Sequence, residues 1–294
     1  MTSAPESLSF ETPFVRLAVQ AWGPATGTPV LAFHGWLDNS ASFGPLAEAM
    51  LERDPGLRIV AWDAPGHGRS QARRDAGYHF IDWVADAAHL LDALGWTKAD
   101  LIGHSMGAGI AALLAGTLPE RIDRLVLIEG MGPLGQSPEE APARLARAIL
   151  EESRRRAPSD RRYREFEAAV AKRAEVGVMK LDSARRLLER ATERDDDGFR
   201  WTSDPALRTT SRQYYDEAVV KAYLRRISAP TLLVQATQGW PHDPELLAAR
   251  AACIRGLETE TLEGHHHLHL DDPEPTAERI SRFWAQHPRA EPTG

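Results

Sequence analysis

The chain has 294 residues, 43% of them hydrophobic, enough to bury a full core as one large domain or a domain carrying an insertion; this excludes a disordered protein. Its 35 basic and 42 acidic side chains leave a formal net charge of −7, so nothing electrostatic favours nucleic acid or an anionic membrane, and a small neutral or apolar ligand fits better. The one cysteine, Cys253, has no partner for an internal disulfide, the opening MTSAPESLSF lacks the features of a secretion signal, and no segment is long and apolar enough to span a bilayer; a soluble, cytoplasmic protein is expected.

In chain order, the half-alternating run FVRLAVQAWG (residues 14–23) and the segment before it predict antiparallel strands that open a sheet. The apolar runs VLAFHG (30–35), LRIVAWD (57–63), ADLIGHS (99–105) and RLVLIEG (124–130) are each followed by polar or helix-compatible segments, the alternation of a parallel sheet covered by helices. The chain leaves this pattern through GMGPLGQSPEEAP (130–142) and returns through ISAP (227–230), before the next strand, APTLLVQAT (229–237). In between, Leu145, Ile149, Tyr163, Phe166, Val170, Leu181, Leu187 and Leu188 recur at helical spacing, which predicts a helical cap with a small core of its own and no strand. The expected architecture is an α/β domain, a mostly parallel sheet flanked by helices, made of residues 1–134 and 229–294, with a cap over 135–228. The runs Arg154-Arg155-Arg156 and Asp195-Asp196-Asp197 read as solvated surface. After the return, PELLAARAACI (244–254) is a helix, ETETLEG (258–264) a strand and PTAERISRFWAQH (275–287) a closing helix.

Chemistry concentrates at strand ends. Gly103-His104-Ser105-Met106-Gly107 is a G-x-S-x-G at the junction of an apolar strand and the small-residue helix GAGIAALLAG. Lifting a hydroxyl clear of a sheet needs a sharp strand-to-helix turn with no bulk two residues either side of the serine, and the helix N-terminus supplies N–H groups suited to an oxyanion. Ser105 is therefore the candidate nucleophile. The oxyanion donors expected of such a site are the N–H of Met106, just after it, and the N–H of Trp36, which follows His34-Gly35 at the end of the first parallel strand.

With HGW, DAPGHGRS (63–70), GHSMG and a late histidine in this order, the chain resembles an α/β-hydrolase from Pro29 to Phe283, and HGWLDNSASF is similar to the serine hydrolase-like branch of that superfamily. The resemblance implies structural roles for Asp63 and His67. On this fold the order of catalytic groups is serine, acid, histidine, which confines the base to the cluster LEGHHHLHLDDPEP (262–275). Composition alone does not choose among His265, His266, His267 and His269. The family spacing of seven residues before the proline of the last helical region, counted from Pro273, picks His266; the branch's glycine-any-histidine-two-histidine arrangement picks it too, with His269 as a supporting histidine. His265 and His267 are expected to be solvated or packing residues. Zinc is disfavoured, because adjacent side chains on one loop rarely converge on an ion, and no metal or organic cofactor is required.

The acid departs from the family pattern. Its usual place, nine residues beyond the proline of APTLLVQATQG, holds Gly239. Asp243 reads as an N-cap ahead of Pro244. Glu129, an ionisable residue at the end of the apolar run LVLIEG, resembles the acid of many haloalkane dehalogenases and is the expected partner of His266, with Asp243 as the alternative. A pocket between sheet and cap is expected to involve His104, Trp36, Phe199, Trp201 and Trp240. The implied reaction is hydrolysis of small carboxylic esters through an acyl-enzyme, with thioesterase, lactonase or cofactor-free perhydrolase chemistry on the same triad as alternatives; dehalogenase and epoxide hydrolase chemistry is disfavoured, since those relatives carry aspartate where Ser105 stands. The rival from another class is a ligand receptor or scaffold on a hydrolase fold.

Overall fold

A computed structural model of the chain describes residues 4–73, 77–154 and 162–289. Its elements are β1 (Glu6–Glu11), β2 (Arg16–Trp22), β3 (Thr28–Phe33), α1 (Gly44–Arg53), β4 (Leu57–Trp62), α2 (Phe80–Ala93), β5 (Ala99–His104), α3 (Met106–Thr117) and β6 (Ile122–Ile128). Next come α4 (Ala141–Arg154), β7 (Arg162–Tyr163), α5 (Phe166–Gly177), α6 (Leu181–Ala191), β8 (Thr192–Asp195), β9 (Gly198–Trp201) and α7 (Glu217–Leu224). The chain closes with β10 (Thr231–Gln238), α8 (Pro244–Ala251), β11 (Glu258–His265), α9 (Leu268–Asp271) and α10 (Pro273–Gln286).

Eight strands form one sheet in the order β1-β2-β4-β3-β5-β6-β10-β11. β1 and β2 pair antiparallel, as does β2 with β4, and every later neighbour is parallel. β4 and β5 are buried at every position because helices cover both faces, which is why their sequences run apolar without alternation. One face packs against α2, α3 and α7 through residues such as Leu90, Leu113 and Val220, and the other against α1 and α10 through Leu46, Ile280 and Phe283. β3 lies between β4 and β5, so the loops leaving β3 and β5 diverge and open a crevice at the carboxyl ends of the strands.

The insertion is not wholly helical. β7, β9 and β8 form a three-stranded antiparallel sheet that no periodicity announces, because the strands are two to four residues long and mostly polar. Val170, Leu187 and Leu188 of the insertion pack in a buried cluster separate from the two flanking the sheet, joined by Leu270 from the turn after the histidine cluster. Leu145, Ile149 and Leu181, expected in that core, are exposed; α4 buries Ala148 instead. A stripe at helical spacing marks an amphipathic helix without saying what covers it. α7 packs on α3 through Val220 and Leu224, so the chain has rejoined the sheet domain before residue 228. Of the expected solvated runs, Asp195–Asp197 is exposed, while Arg155 and Arg156 lie outside the described residues.

Two arginines from cap helices reach buried carboxylates of the sheet domain. Arg190 Nε donates to both oxygens of Asp63 at 3.0 and 2.9 Å, and the pair is nearly solvent-free. Asp63 also accepts the backbone N–H groups of Ser40 and Arg69, each at 2.8 Å, the structural role the resemblance implies. Arg173 pairs with Asp38 in the loop after β3. Removing one member of such a pair strands a buried charge, so Arg190→Met is expected to lower unfolding free energy in urea by about 3–5 kcal/mol. Asp63→Asn combined with Arg190→Met should cost less than the two single changes added together; strict additivity would mean the two groups do not act as a pair.

Candidate active site

Ser105 sits between β5 and α3 with φ 53° and ψ −115°, a backbone conformation an L-residue holds only when its surroundings force it. The glycines around it show what does the forcing. A Cβ on Gly103 would lie 2.4 Å from the carbonyl oxygen of Gly107, and one on Gly107 would lie 1.9 Å from that of Phe33. Gly103 thus clears the turn itself, whereas Gly107 clears the neighbouring strand β3. Ser105 N–H donates to the Ile128 carbonyl at 2.8 Å, which ties the elbow to the end of β6.

The Trp36 peptide is set by His34. Ala64 N–H donates to His34 Nε2 at 2.9 Å, so the ring proton sits on Nδ1, which donates to the Gly35 carbonyl at 2.7 Å. Burial holds His34 below the ordinary imidazole range and so keeps it neutral. In a trans peptide the N–H points opposite the carbonyl, so the Trp36 N–H faces away from His34. Met106 opens α3, where first-turn N–H groups have no acceptor within the helix. Trp36, Ser105 and Met106 line one cavity of about 1500 Å³.

Glu129 follows β6 with φ 55°, and its side chain turns back across the end of β10. Ala236 N–H donates to Glu129 Oε1 at 2.6 Å, Trp240 N–H donates to Oε2 at 2.8 Å, and His266 Nδ1 lies 3.0 Å from Oε2. Burial opposes ionisation, but the bonds from His266 and the two amides outweigh it and hold the carboxyl below its usual range. A carboxylate only accepts, so the His266 proton is on Nδ1 and Nε2 is left bare. Gly239, at the family's usual acid position, belongs to this arrangement: a Cβ there would lie 2.2 Å from Glu129 Oε2. Asp243, the alternative acid, is the N-cap of α8 and accepts from Glu245 and Leu246 N–H at 2.9 and 3.3 Å.

The histidine cluster divides by direction. His265 ends β11; His266 lines the cavity against Glu129; His267 is buried, with Nε2 3.3 Å from Asp38 Oδ2, rather than solvated. His269 is fully buried with its ring centroid 4.2 Å from that of His104, and neither of its nitrogens has a hydrogen-bond partner among the described residues. Burial pushes it down to about 3, so it packs as a neutral ring. His104, also buried and held well below its ordinary value by desolvation and by the imidazoles around it, donates from Nε2 to the His266 carbonyl at 2.9 Å. Asp38 beside them stays ionised: burial opposes this, and His267 and Arg173 more than compensate. Composition could not show Asp38 as part of this group, because its partners come from β5, α5 and the turn after β11.

Among the expected pocket residues, His104, Trp36, Trp201 and Trp240 line the cavity, and Trp240 stands 5.8 Å from the His266 ring. Phe199 does not: its ring lies 5.2 Å from that of Phe166, tilted, within the insertion, although by strand alternation it shares a face of β9 with Trp201. All four non-glycine residues with positive φ among the described residues, Leu37, Ser105, Glu129 and Val178, border this cavity, Ser105 and Glu129 where its polar groups meet.

The profile of the alpha/beta hydrolase fold matches residues 28–273. A serine hydrolase-like protein of Danio rerio is 32% identical over 96% of this chain and 89% of its own length, and the human serine hydrolase-like protein 2 is 27% identical over 94% and 93%. Among solved structures, a hypothetical protein from Pseudomonas aeruginosa PAO1 superposes with TM-score 0.87 at 38% identity, covering 96% of this chain and 98% of that one. The thioesterase domain from the curacin biosynthetic pathway superposes with TM-score 0.84 at 25% identity, covering 95% and 100%.

The buried His269 fixes a pH response. Between its ordinary value near 6.5 and its folded value of about 3, the unfolded chain takes up a proton that the native state refuses, so stability falls as pH drops through that window. His269→Phe, which keeps a ring in the space, should flatten the slope of unfolding free energy between pH 6 and 4 by up to about 1.4 kcal/mol per pH unit, the value of one proton. An unchanged slope in urea titrations across that range would rule out His269 as its source.

Proposed function

The chain belongs to the α/β-hydrolase family, and from that premise we propose that it is a serine hydrolase cleaving small carboxylic esters through an acyl-enzyme. The observation that carries the reading is the Glu129–His266 hydrogen bond at the wall of the cavity into which the elbow presents Ser105. With Nδ1–H given to Glu129, His266 offers Nε2 as general base. Ser105 Oγ attacks the carbonyl carbon, its proton passes to Nε2, and Glu129 steadies the imidazolium that results. The Trp36 and Met106 N–H groups receive the oxyanion. Collapse of the tetrahedral intermediate expels the alcohol, which takes the proton from Nε2; water, activated by the same nitrogen, then frees the acid. His104, which holds the His266 carbonyl, keeps the base in register with the serine.

Thioester hydrolysis is a second reading on the same groups. A cavity of about 1500 Å³ is larger than most small-molecule sites, of order 300–1,000 Å³, and suits a long acyl chain, as the similarity to a thioesterase domain also suggests.

A fluorophosphonate probe is expected to label Ser105 in folded protein and to leave Ser105→Ala unmodified; no adduct on Ser105 would favour a receptor or scaffold over an enzyme. In a chromogenic ester series of increasing acyl length, Glu129→Gln should lower kcat/KM by about 10³–10⁴-fold, the loss seen when a triad acid is neutralised. Gly239→Ala, whose methyl displaces the Glu129 carboxylate, should fall in the same direction. Asp243→Asn should keep its activity, while Asp243→Ala loses about 1 kcal/mol of stability as a missing N-cap. Activity lost in Asp243→Asn and kept in Glu129→Gln would transfer the acid's role to Asp243.

A further inference from the structure

Below the cavity floor, Asp38 from the loop after β3, His104 from the end of β5 and His267 from the turn after β11 each turn one ligand atom toward a common point, the three atoms lying within 4.8 Å of one another. Asp38 Oδ2 is 3.3 Å from His267 Nε2 and 3.8 Å from His104 Nδ1. These separations are close to the spacing of about 3.3 Å between ligand atoms set tetrahedrally around zinc at bond lengths of about 2.0–2.1 Å. Adjacent histidines of one loop rarely converge, and here they do not: only His267 of the cluster takes part, and the other two ligands come from different strands.

Two further observations point to a ligand. His104 gives its Nε2–H to the His266 carbonyl, so in the neutral, fully buried ring Nδ1 is a bare lone pair. That nitrogen has no hydrogen-bond partner among the described residues and faces a carboxylate oxygen, two acceptors with no positive charge between them. The second is Gly35, where a Cβ would lie 3.0 Å from both Asp38 Oδ2 and His104 Nδ1; the glycine keeps that gap open.

We propose that Asp38, His104 and His267 form an inhibitory site for a borderline divalent cation of the zinc type. Two imidazoles and one carboxylate suit Zn²⁺, Co²⁺, Ni²⁺ or Cu²⁺ rather than Mg²⁺ or Ca²⁺. Asp38 Oδ1 remains with Arg173, and Oδ2 turns to the ion. His267 would bind through Nε2, leaving Nδ1, which has no hydrogen-bond partner among the described residues, to carry the ring proton. All three residues line the cavity, from which water supplies a fourth ligand. Arg173 opposes binding by its charge, so only strongly coordinating ions enter. The consequence for turnover rests on the hydrolase reading: His267 is bonded in sequence to His266 and His104 to Ser105, so drawing the two imidazoles together shifts base and nucleophile relative to each other.

The test titrates chelator-treated full chain with Co²⁺, followed by its d–d absorption, and then with competing Zn²⁺. One equivalent of Co²⁺ should bind and be displaced by Zn²⁺. Affinity should drop at least about tenfold in Asp38→Asn and His267→Gln and stay at the wild-type level in His265→Gln. Zn²⁺ should also raise the wild-type Tm, since it binds the native state, and raise it further in Arg173→Met, which keeps all three ligands and loses the competing cation. That arm stands even where the ligand variants fail to fold. No Co²⁺ binding in wild type, binding that survives both ligand changes, binding lost in His265→Gln, or a Tm shift no larger in Arg173→Met overturns the site. Inhibition is read separately, as ester turnover lost at the Zn²⁺ concentrations that fill the site and restored by chelator. Turnover that persists in saturating Zn²⁺ overturns the inhibitory role. Turnover absent from metal-free protein fails the hydrolase reading and that role with it, while the binding result stands.

Discussion

A carboxylate at the end of an apolar strand is the constraint from which the site is built. Glu129 is 2% exposed, and an unpaired charge at that depth would cost more than the fold can spare. Two backbone amides of the β10 end and the Nδ1 of His266 supply the compensation. Each demand propagates. The amides require the chain after β10 to fold back over β6, Gly239 must carry no side chain, and His266 must present one particular nitrogen to the carboxylate. The tautomer of the imidazole, and with it the lone pair turned to the cavity, follows from where Glu129 sits.

The neighbouring polar cluster obeys the same rule with a different outcome. Asp38 is as buried as Glu129, yet its compensation comes from the cap, through Arg173, and from His267. Together with Arg190 on Asp63 this makes the seating of the insertion an electrostatic matter as well as an apolar one, since each arginine answers a buried carboxylate carried by the sheet domain. The four histidines that are adjacent or nearly so in sequence therefore end in unlike surroundings: one on a strand end, one against Glu129, one against Asp38 and one packed as a neutral ring beside His104. A turn leading into one turn of helix sends consecutive side chains in different directions, which is how a run of like residues acquires unlike roles.

Much of this was legible in the residues. The alternation of apolar runs with helical segments stated a mostly parallel sheet, because strands covered on both faces must be apolar throughout. Gly103 and Gly107 around Ser105 stated a sharp turn, although only Gly103 clears the turn itself and Gly107 clears the neighbouring strand, and Gly239 at the family's usual acid position pointed to a carboxylate elsewhere. What stayed hidden has physical reasons as well. β7, β8 and β9 are too short and polar to carry a period, the exposure of Leu145 and Ile149 depends on what faces α4, and the contact of Phe199 with Phe166 depends on how β9 lies against α5.

The sequence by itself determined the fold class and the sharp turn at Ser105, because these rest on periodicity and on the steric needs of single residues, while the order proposed for nucleophile, acid and base is what the family resemblance implies. Only the tertiary structure decided which nitrogen of His266 meets Glu129, why Gly239 is empty, and that Asp38, His104 and His267 converge. Those facts depend on distances between chain segments more than a hundred residues apart in some pairs, such as the 137 residues between Glu129 and His266, and packing alone sets such distances.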